Sequence, residues 1–289
     1  MDALWLLYDE ADLSKNLGFV ELMQSRGAAR GLEILPVTTE ELTFEMDASG
    51  VPLCLRDGVS ARPRAVFSRQ RDSLLSFHFE RMGVPVYNNA RVCAICNDKR
   101  LTHQFLSGLP MPRTIFLPPR PSAPPPGTRF PVIVKPACSH GGDRVALVGD
   151  EREWREAVSA ILPQPAIQQS VVDGAGRDLR VYVVHGRILA GVMRTATHGV
   201  VSNFKRGGQA ALHALTAGER ALAQEVARRF ERAGAPLTMA GVDLMYDEGR
   251  PVVSEVEDVV GSRMLYQTSD IDIVSLFLDG FGDIRAKVQ

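Results

Sequence analysis

Long apolar runs, an excess of one charge and a cysteine framework are all missing from this 289-residue sequence. No apolar run approaches the roughly 18 residues that a membrane span needs, and the acidic start MDALWLLYDE argues against a signal peptide. The net charge is −1 with no long basic block, which argues against nucleic acid or an anionic membrane as the main partner. Because 4 cysteines in a chain of this size do not form a disulfide scaffold, we expect a reducing, cytoplasmic compartment.

Several short catalytic motifs are absent as well. The first predicted strand is followed by no glycine fingerprint for a dinucleotide, and no Walker A sequence occurs. G-x-S-x-G and H-E-x-x-H do not occur, so a serine-hydrolase elbow and a zincin helix are not expected. Cys93 and Cys96 form a C-x-x-C pair, but no second pair supplies the other ligands of a structural zinc site. We interpret both as buried core cysteines and leave a redox role open.

The elements that are present alternate between strands and helices. This alternation over about the first 90 residues favours a parallel, Rossmann-like sheet. A proline-rich stretch, LPPRPSAPPPG, then forms a stiff connection that fits no regular element. A hairpin is predicted with His185 and Gly186 at its turn. Helices are predicted over residues 14–30, 73–83, 97–107 and 216–233, the last with a capping box formed by Thr216 and Glu219.

The stretch GVDLMYDEGRPVVSEVED, residues 241–258, is predicted to form two strands around a tight turn. With the turn centred near Gly249, Asp243 lies opposite Glu255, where like charges destabilise a sheet. Alternation places Glu257 beside Glu255 on the same face. A divalent cation would relieve this repulsion, and Mg²⁺ suits carboxylates together with phosphate oxygens. The alternative is an acidic face that points into water. The opposite, apolar face carries Val242, Leu244, Tyr246, Val252 and Val256.

Lys135 ends the apolar strand FPVIVKP just before a loop with two adjacent glycines, Gly141 and Gly142. Such glycines let backbone N–H groups approach an anion closely, and the lysine adds a point charge. An ordinary turn is the alternative interpretation of this loop. Together with a carboxylate cluster that could hold Mg²⁺, the loop favours a nucleoside triphosphate between two sheets. Arg69 and Arg71, after the strand AVFS, could bind a substrate carboxylate or be ordinary surface arginines.

Six segments, in order, resemble the ATP-grasp superfamily, and most closely its RimK-like carboxylate–amine ligases. They are NDKRLTHQFLSGLPMPRT, PVIVKPACSHGGDRV, IQQSVVDGAGRDLRVYVVHGRILAGVMR, SNFKRGG, AGVDL and SEVEDVVG, and they fall within residues 88–289. The resemblance implies an α/β (α+β) protein with an ATP-grasp fold and an N-terminal Rossmann-like pre-ATP-grasp domain. It divides the chain into that domain (1–90), a small subdomain with the lid and the lysines (91–172), and a C-terminal subdomain with the metal site (173–289).

The resemblance also implies roles for individual residues by their positions in these segments. Phosphate-gripping lysines, a flexible lid, an adenine-lining segment and a ribose-side acid make up the nucleotide site. These roles fall on Lys99, Lys135, His140, Gly141, Gly142, Gln168, Gln169, Val171 and Asp178. Catalytic roles fall on Arg194, Lys135, Asn203 and Arg206, and the metal-ligand positions are Asp243, Glu255 and Glu257.

Three features depart from the family pattern. Glu257 stands where the family usually has asparagine, so the site carries an additional negative charge and its ion preference is open. Gln169 replaces the usual glutamate of the adenine strand. The continuation EDVVGSRMLY replaces the common NSSPG, and because that segment normally shapes the acceptor side, the identity of the acceptor does not transfer.

The implied function is an ATP-dependent ligase that forms an amide or peptide bond through an acyl phosphate, with release of ADP and phosphate. ATP and Mg²⁺ are the implied cofactors, with Mn²⁺ as an alternative ion, and the substrates are small-molecule or peptide carboxylates and amines. Two other functions stay open: an ATP-grasp phosphotransferase and a non-catalytic nucleotide-binding module. No nucleic acid or membrane is expected as a partner, and a homodimer is left open.

Overall fold

The computed structural model describes residues 3–174, 176–195 and 209–281. Helices and strands alternate along these ranges, and the strands assemble into four sheets. Among the helices of the described ranges, none combines the length and the hydropathy required to cross a bilayer. The α/β prediction is confirmed.

The N-terminal part forms a four-stranded parallel sheet and a three-stranded antiparallel sheet. Its elements are β1 (Leu4–Tyr8), α1 (Glu10–Lys15), α2 (Leu17–Ala28), β2 (Ile34–Thr38), β3 (Leu42–Met46), β4 (Pro52–Arg56), β5 (Val59–Ser60), β6 (Ala65–Ser68), α3 (Ser73–Arg81) and β7 (Val86–Tyr87). The parallel sheet has the order β2-β1-β6-β7, as the Rossmann-like prediction requires. Strand β1 is buried along its whole length, which explains its continuous apolar sequence.

The predicted helix over residues 14–30 is wrong at its start. Asp9 caps an earlier helix, since its side chain accepts a hydrogen bond from the backbone of Asp12 at 2.6 Å. Asn16 then leaves the helical conformation, with φ −123° and ψ 20°, and separates α1 from α2. The side chain of Asn16 donates to the carbonyl of Asp12, which competes with the next helical hydrogen bond. Two short helices therefore replace one long one.

The middle of the chain forms an antiparallel sheet of order β10-β9-β11-β8 with a helix on one face. Its elements are α4 (Ala90–Asn97), α5 (Lys99–Phe105), β8 (Thr114–Phe116), β9 (Val132–Pro136), β10 (Ala146–Val148), α6 (Glu151–Ile161) and β11 (Ala166–Ser170). The predicted helix over 97–107 is corrected at its start, because Asp98 is extended and caps α5, while α4 precedes it and was not predicted. The proline-rich stretch contains no helix or strand, as predicted.

The last part forms a five-stranded antiparallel sheet of order β14-β13-β12-β15-β16. Its elements are β12 (Arg177–Val184), β13 (Arg187–Thr195), β14 (Gln209–His213), α7 (Ala217–Arg232), β15 (Met239–Asp247), β16 (Arg250–Glu257), α8 (Arg263–Thr268) and α9 (Ile273–Asp279). His185 and Gly186 form the predicted turn, with φ of 47° and 72°. The predicted capping box of α7 is confirmed, because Thr216 and Glu219 bond reciprocally.

One buried cluster joins the first sheet, the five-stranded sheet and the C-terminal helices. Phe67 of β6 packs on Phe277 of α9 with 4.4 Å between ring centroids. Tyr182 and Val192 of the five-stranded sheet belong to the same cluster. The division at residues 90 and 172 stays a prediction, and this core ties the first predicted unit to the third.

Candidate active site

The acidic hairpin consists of β15 and β16, and its register confirms that Asp243 lies opposite Glu255. The predicted position of the turn, centred near Gly249, is wrong. Asp247 pairs with Arg250, so the two turn residues are Glu248 and Gly249, with φ of 50° and 73°. Positive φ at both positions is typical of the tight type I′ hairpin turn.

A β-bulge reconciles this turn with the predicted acid pair. The register shifts between Asp243 and Leu244, which leaves Ser254 without a cross-strand partner. Leu244 therefore pairs with Val253, and Val253 belongs to the core cluster beneath the sheet. Val252 was predicted on this core face, but it pairs with Met245 and lies outside that cluster, so its assignment is wrong. Without the bulge, the inward Val253 and the acids could not occupy opposite faces.

The three predicted metal-ligand side chains converge. Carboxylate oxygens of Asp243, Glu255 and Glu257 lie within 4.8 Å of one another. The side chain of Asp243 is 2% exposed, whereas those of Glu255 and Glu257 are 31% and 25% exposed. Hard oxygen donors of this kind suit Mg²⁺, so the donor set fits the implied metal. The roles of these residues stay predictions.

Two arginines from neighbouring strands supply positive charge to this cluster. Arg180 lies opposite Asp243, donates to both of its carboxylate oxygens at 2.8 and 2.7 Å, and contacts Glu257 at 2.7 Å. Arg194 donates to Asp243 at 2.7 Å and also pairs with Asp178. A carboxylate as deeply buried as Asp243 requires such partners. For Asp243, the alternative of a side chain pointing into water is therefore wrong.

Arg180 was not predicted as a site residue, although the sequence contains a pattern that indicates it. It interrupts the strand LRVYVV, whose apolar neighbours Leu179 and Val181 are fully buried. An arginine in such a strand must find an acid, because an unpaired buried charge is costly. The assignment of Arg194 as a site residue drew on the resemblance alone and did not extend to this second arginine.

Within the acid cluster, the pKa values of Asp243 and Glu257 are shifted in opposite directions. Burial alone would raise the pKa of Asp243, but Arg180 and Arg194 outweigh it and hold that pKa well below its usual range. Burial raises the pKa of Glu257, and the negative charges of Asp243 and Glu255 add to the effect of burial. Ionisation is thus favoured at Asp243, whereas it is disfavoured at Glu257 although Arg180 and Arg194 lower the pKa of Glu257 in opposition to burial.

The two predicted phosphate lysines face these acids: Lys135 lies on β9 of the neighbouring sheet, and Lys99 lies on the helix bonded to the end of that strand. Lys99 begins α5, which is tied to the end of β9 by a hydrogen bond from the Lys99 backbone to Ala137 at 3.0 Å. Its ammonium group donates to the carbonyl of Ser139 and lies 3.8 Å from Glu255. Lys135 makes no ion pair or side-chain hydrogen bond with any residue that the structure describes. Burial lowers the pKa of Lys135 to about 8, with Glu255 opposing and Lys99 adding to the shift.

Gln169 lies on the lysine face of the small sheet, where it contacts a histidine that the sequence analysis did not select. Its amide lies 3.1 Å from His103 and donates to Thr114 at 2.8 Å. Burial lowers the pKa of His103 to about 4, and the two lysines lower it further. His103 is therefore neutral at pH 7 and can accept the amide proton of Gln169. This pairing gives the glutamine that replaces the family's glutamate a structural role.

Gln168 points to the opposite face of the same sheet, because side chains alternate along β11. Trp154 donates to Gln168 at 2.7 Å on the α6 side. Val171 follows the strand and is partly buried. A contact between the adenine and this segment would therefore use backbone groups of Gln168, which the resemblance also implies.

The predicted lid follows β9, and its glycines are required by its backbone. Gly141 and Gly142 have φ of 66° and 75°, and two successive residues in this region strongly favour glycine. Partial burial and the charges of Arg71 and Lys99 lower the pKa of His140, so the loop lies near the lysine side of the site. The remaining predicted catalytic residues, Asn203 and Arg206, lie outside the described residues.

Cys93 of α4 is buried, as predicted from the sequence, whereas Cys96 is half-buried and packs against the core cluster. Burial raises the pKa of both thiols, and the nearby carboxylate of Asp258 raises them further. Asp258 accepts two bonds from Asn97, at 3.0 and 3.1 Å, and burial raises its pKa to about 6. The cysteines are thus poor nucleophiles, and Asp258 is a buried acid that the sequence analysis did not select.

Arg69 is a buried arginine whose guanidinium is only partly bonded, because its Nε and Nη1 atoms have no hydrogen-bond partner among the described residues. It is 3% exposed, donates to the carbonyl of Val260 at 3.0 Å, and lies 4.7 Å from the ring centroid of Phe19. Arg71 pairs with Asp12 at 3.1 Å and keeps 26% of its side chain exposed. Of the two arginines, only Arg71 retains a surface that a substrate could reach.

The arrangement of sheets is that of ATP-grasp proteins. A structure of the ATP-grasp ligase PsnB complexed with a phosphomimetic variant of its minimal precursor, Mg and ADP superimposes with a TM-score of 0.66. The match covers 96% of this chain and 97% of that one at 20% sequence identity. At this identity the likeness establishes the fold, and the predicted ATP-grasp fold is confirmed.

The family follows from the sequence comparison. A model of the RimK-like ATP-grasp domain matches residues 125–280, which is more than half of the chain, and the chain belongs to this family. A "Probable alpha-L-glutamate ligase" of Shewanella halifaxensis (strain HAW-EB4) is 26% identical over 295 residues, covering 95% of this chain and 61% of that protein. One of Shewanella loihica (strain ATCC BAA-1088 / PV-4) is 26% identical over 294 residues, covering 95% and 94%. The chain thus spans less than two thirds of the first relative's length.

Proposed function

We propose that this protein is an ATP-dependent carboxylate–amine ligase that forms an amide or peptide bond, with release of ADP and phosphate. The observation that carries the proposal is the juxtaposition of a buried lysine pair, on β9 and at the start of α5, with an acid–arginine network on the five-stranded sheet. Membership of the RimK-like ATP-grasp family supports it, as do the names of the two Shewanella relatives.

The phosphate oxygens of a nucleoside triphosphate would bind to hydrogen-bond donors that have no partner in the protein. Lys135 has no ionic or hydrogen-bonded partner among the described residues. The Nε atom of Arg194 is buried and likewise lacks a hydrogen-bond partner in the described part of the chain. An oxyanion placed between these two groups would satisfy both, which is the electrostatic contribution that phosphoryl transfer requires.

The proposed reaction has two steps. A carboxylate oxygen of the first substrate attacks the γ-phosphorus of ATP, and the bond to the bridging oxygen breaks, which releases ADP and leaves an acyl phosphate. The amine nitrogen of the second substrate then attacks the carbonyl carbon, the carbon–oxygen bond to phosphate breaks, and the nitrogen loses a proton. Lys135 and Arg194 offset the charge on the transferred phosphoryl group, and the loop at Gly141 and Gly142 limits the access of water.

Asp243, Glu255 and Glu257 are the residues proposed to hold Mg²⁺, with Mn²⁺ as an alternative ion. The bound ion would supply positive charge to the phosphate oxygens. Arg180 and Arg194 now use oxygens of the same carboxylates. Phosphate groups would offer these arginines replacement partners, so we propose that nucleotide and metal binding assist each other.

The substrates are proposed to be small-molecule or peptide carboxylates and amines. The segment after Glu257 contains Asp258 and departs from the family pattern, so it is the expected determinant of the acceptor. A cytoplasmic location and a homodimer remain predictions from the sequence.

Trapping of the acyl phosphate tests this function. The purified protein is incubated with ATP, Mg²⁺, pooled amino acids and hydroxylamine, and both ADP and hydroxamate are measured. A ligase yields both. ADP without hydroxamate, together with a phosphorylated product, would favour the phosphotransferase, and no ADP under any condition would favour the binding module.

Arg194→Gln sharpens the same assay. It removes a donor proposed to face the transferred phosphoryl group, while Asp243 retains both hydrogen bonds from Arg180. We expect turnover to fall about 10²-fold or more with the ATP affinity changed far less. Wild-type turnover in this variant would remove Arg194 from the mechanism.

A further inference from the structure

A cavity of about 440 Å³ lies on the face of the small sheet that is turned away from the lysines. Strand alternation places Gln168, Ser170 and Val132 on this face, whereas Lys135 and Gln169 point to the other. The cavity is therefore separated from the proposed nucleotide site by the thickness of the sheet. Its lining consists of Arg113, Ile115, Gly127, Arg129, Val132, Gln168 and Ser170.

The charge of this lining is of one sign. Arg113 and Arg129 are its charged members, both are exposed, and neither forms an ion pair or a side-chain hydrogen bond with a residue in 3–174, 176–195 or 209–281. Arginines nearby do find partners: Arg152 pairs with Glu156 at 2.8 Å, and Arg144 donates to Gln164 at 2.8 Å. Two guanidinium groups that face one cavity without an acid create a positive potential inside it.

The walls of the cavity are held in place by hydrogen bonds. Gln168 is 2% exposed, accepts from Trp154 at 2.7 Å, and donates to Thr128 at 3.1 Å. The bond to Thr128 ties the loop that carries Gly127 and Arg129 to the sheet, and the bond from Trp154 ties α6 to it. A Cβ atom added at Gly127 would meet nothing within 4 Å, so the space beside this loop is open. The cavity is a preformed site with an apolar floor and cationic walls.

We propose that this cavity binds a small organic anion, with a carboxylate or phosphate group between Arg113 and Arg129 and an apolar part against Ile115 and Val132. Arginine forks match the planar oxygens of both anions, and the Ser170 hydroxyl adds a third donor. The volume lies within the range of small-molecule sites. Gln168 and Ser170 lie within residues 168–171, the proposed adenine segment, so an occupant would influence nucleotide binding; only this consequence rests on the proposed function.

Isothermal titration calorimetry of the nucleotide-free protein with phenyl phosphate and with benzoate tests the site and distinguishes the two anions. The double variant Arg113→Gln/Arg129→Gln should bind at least about tenfold more weakly than the wild type. Arg120→Gln is the matched control, because Arg120 is an exposed arginine of the same loop outside the cavity lining. Arg120→Gln should keep wild-type affinity, and Lys135→Met should keep the binding event that the double variant loses.

Three results would overturn the proposal. They are equal affinity in the wild type and the double variant, loss of binding in Lys135→Met with retention in the double variant, and no saturation by either probe up to about 10 mM. The second result would place the anion in the lysine cleft. Neither arginine is paired with a residue that the structure describes, so the double variant should melt at the wild-type temperature. If it does not fold, each single variant should lower affinity about threefold or more.

Discussion

The two sheets that enclose the candidate site treat their buried charges differently. On the five-stranded sheet, Asp243 is matched by Arg180 and Arg194, and its pKa is held low. On the small sheet, Lys135 is also buried but has no matching acid in contact among the described residues, and its pKa falls to about 8. The charge of Asp243 is neutralised by arginines of the protein itself, whereas the charge of Lys135 would be neutralised by a bound anion.

This difference indicates where binding energy would come from. A ligand anion gains most beside Lys135, where no internal bond has to be broken. A metal at the acids must instead compete with arginines, so it gains only if those arginines acquire new partners. We therefore expect that removing a buried charge lowers the free energy of unfolding on the five-stranded sheet and raises it on the small sheet. We also expect the metal to bind more tightly when the nucleotide is present.

The largest expected effect is on the five-stranded sheet. Arg180→Ala removes the bidentate partner of a buried carboxylate and should lower the free energy of unfolding by about 3–5 kcal/mol, measured by urea denaturation. Arg177→Ala, on the same strand but exposed, should cost less than about 1 kcal/mol. An Arg180→Ala/Asp243→Ala protein should be less destabilised than the sum of its single changes. Strict additivity would show that the pair is not coupled.

On the small sheet, we expect removal of a buried charge to raise the free energy of unfolding. Lys135→Met removes an unmatched buried charge and should raise the free energy of unfolding at pH 7 by about 1–3 kcal/mol, while ATP binding is lost. The folded-state pKa of about 8 lies below the ordinary 10.5, so the unfolded chain binds more protons between these values. Wild-type stability should therefore approach that of the variant as the pH rises from 8 to 10.5. Lys15→Met, at an exposed lysine paired with Asp12, is the control and should change the free energy of unfolding by less than about 1 kcal/mol.

A smaller effect is expected where this chain departs from its family. Glu257→Asn removes one of the two acids that contact Arg180 and lowers the negative charge that faces the phosphates. We expect ATP affinity to rise by about three- to tenfold, with a changed preference between Mg²⁺ and Mn²⁺ and little loss of stability. Calorimetric titration with each ion measures both. Unchanged affinity and ion preference would mean that the additional charge has no role.

The facing of Asp243 and Glu255 was predicted correctly only because the error in the turn position and the missed bulge cancel. The sequence alone was sufficient for the strand pattern, the turn at His185 and Gly186, and the lysine at the end of β9. These features follow from alternation and from local turn chemistry, which act over a few residues. The bulge at Ser254 could not be predicted, because its cause is the packing of Val253 against a distant core. Arg180 was missed for a related reason: its acid partner lies 63 residues away in the chain, and only the sheet order brings the two together.

Manganese EPR provides the most direct test of the coupling between the two sides. Free Mn²⁺ is titrated with the protein in the absence and in the presence of a non-hydrolysable ATP analogue, and the manganese–analogue complex measured without protein is subtracted. We expect the analogue to lower the dissociation constant of Mn²⁺ at least about tenfold, because its phosphates draw Arg180 and Arg194 away from the acids. Equally tight, saturable Mn²⁺ binding with and without the analogue would contradict it.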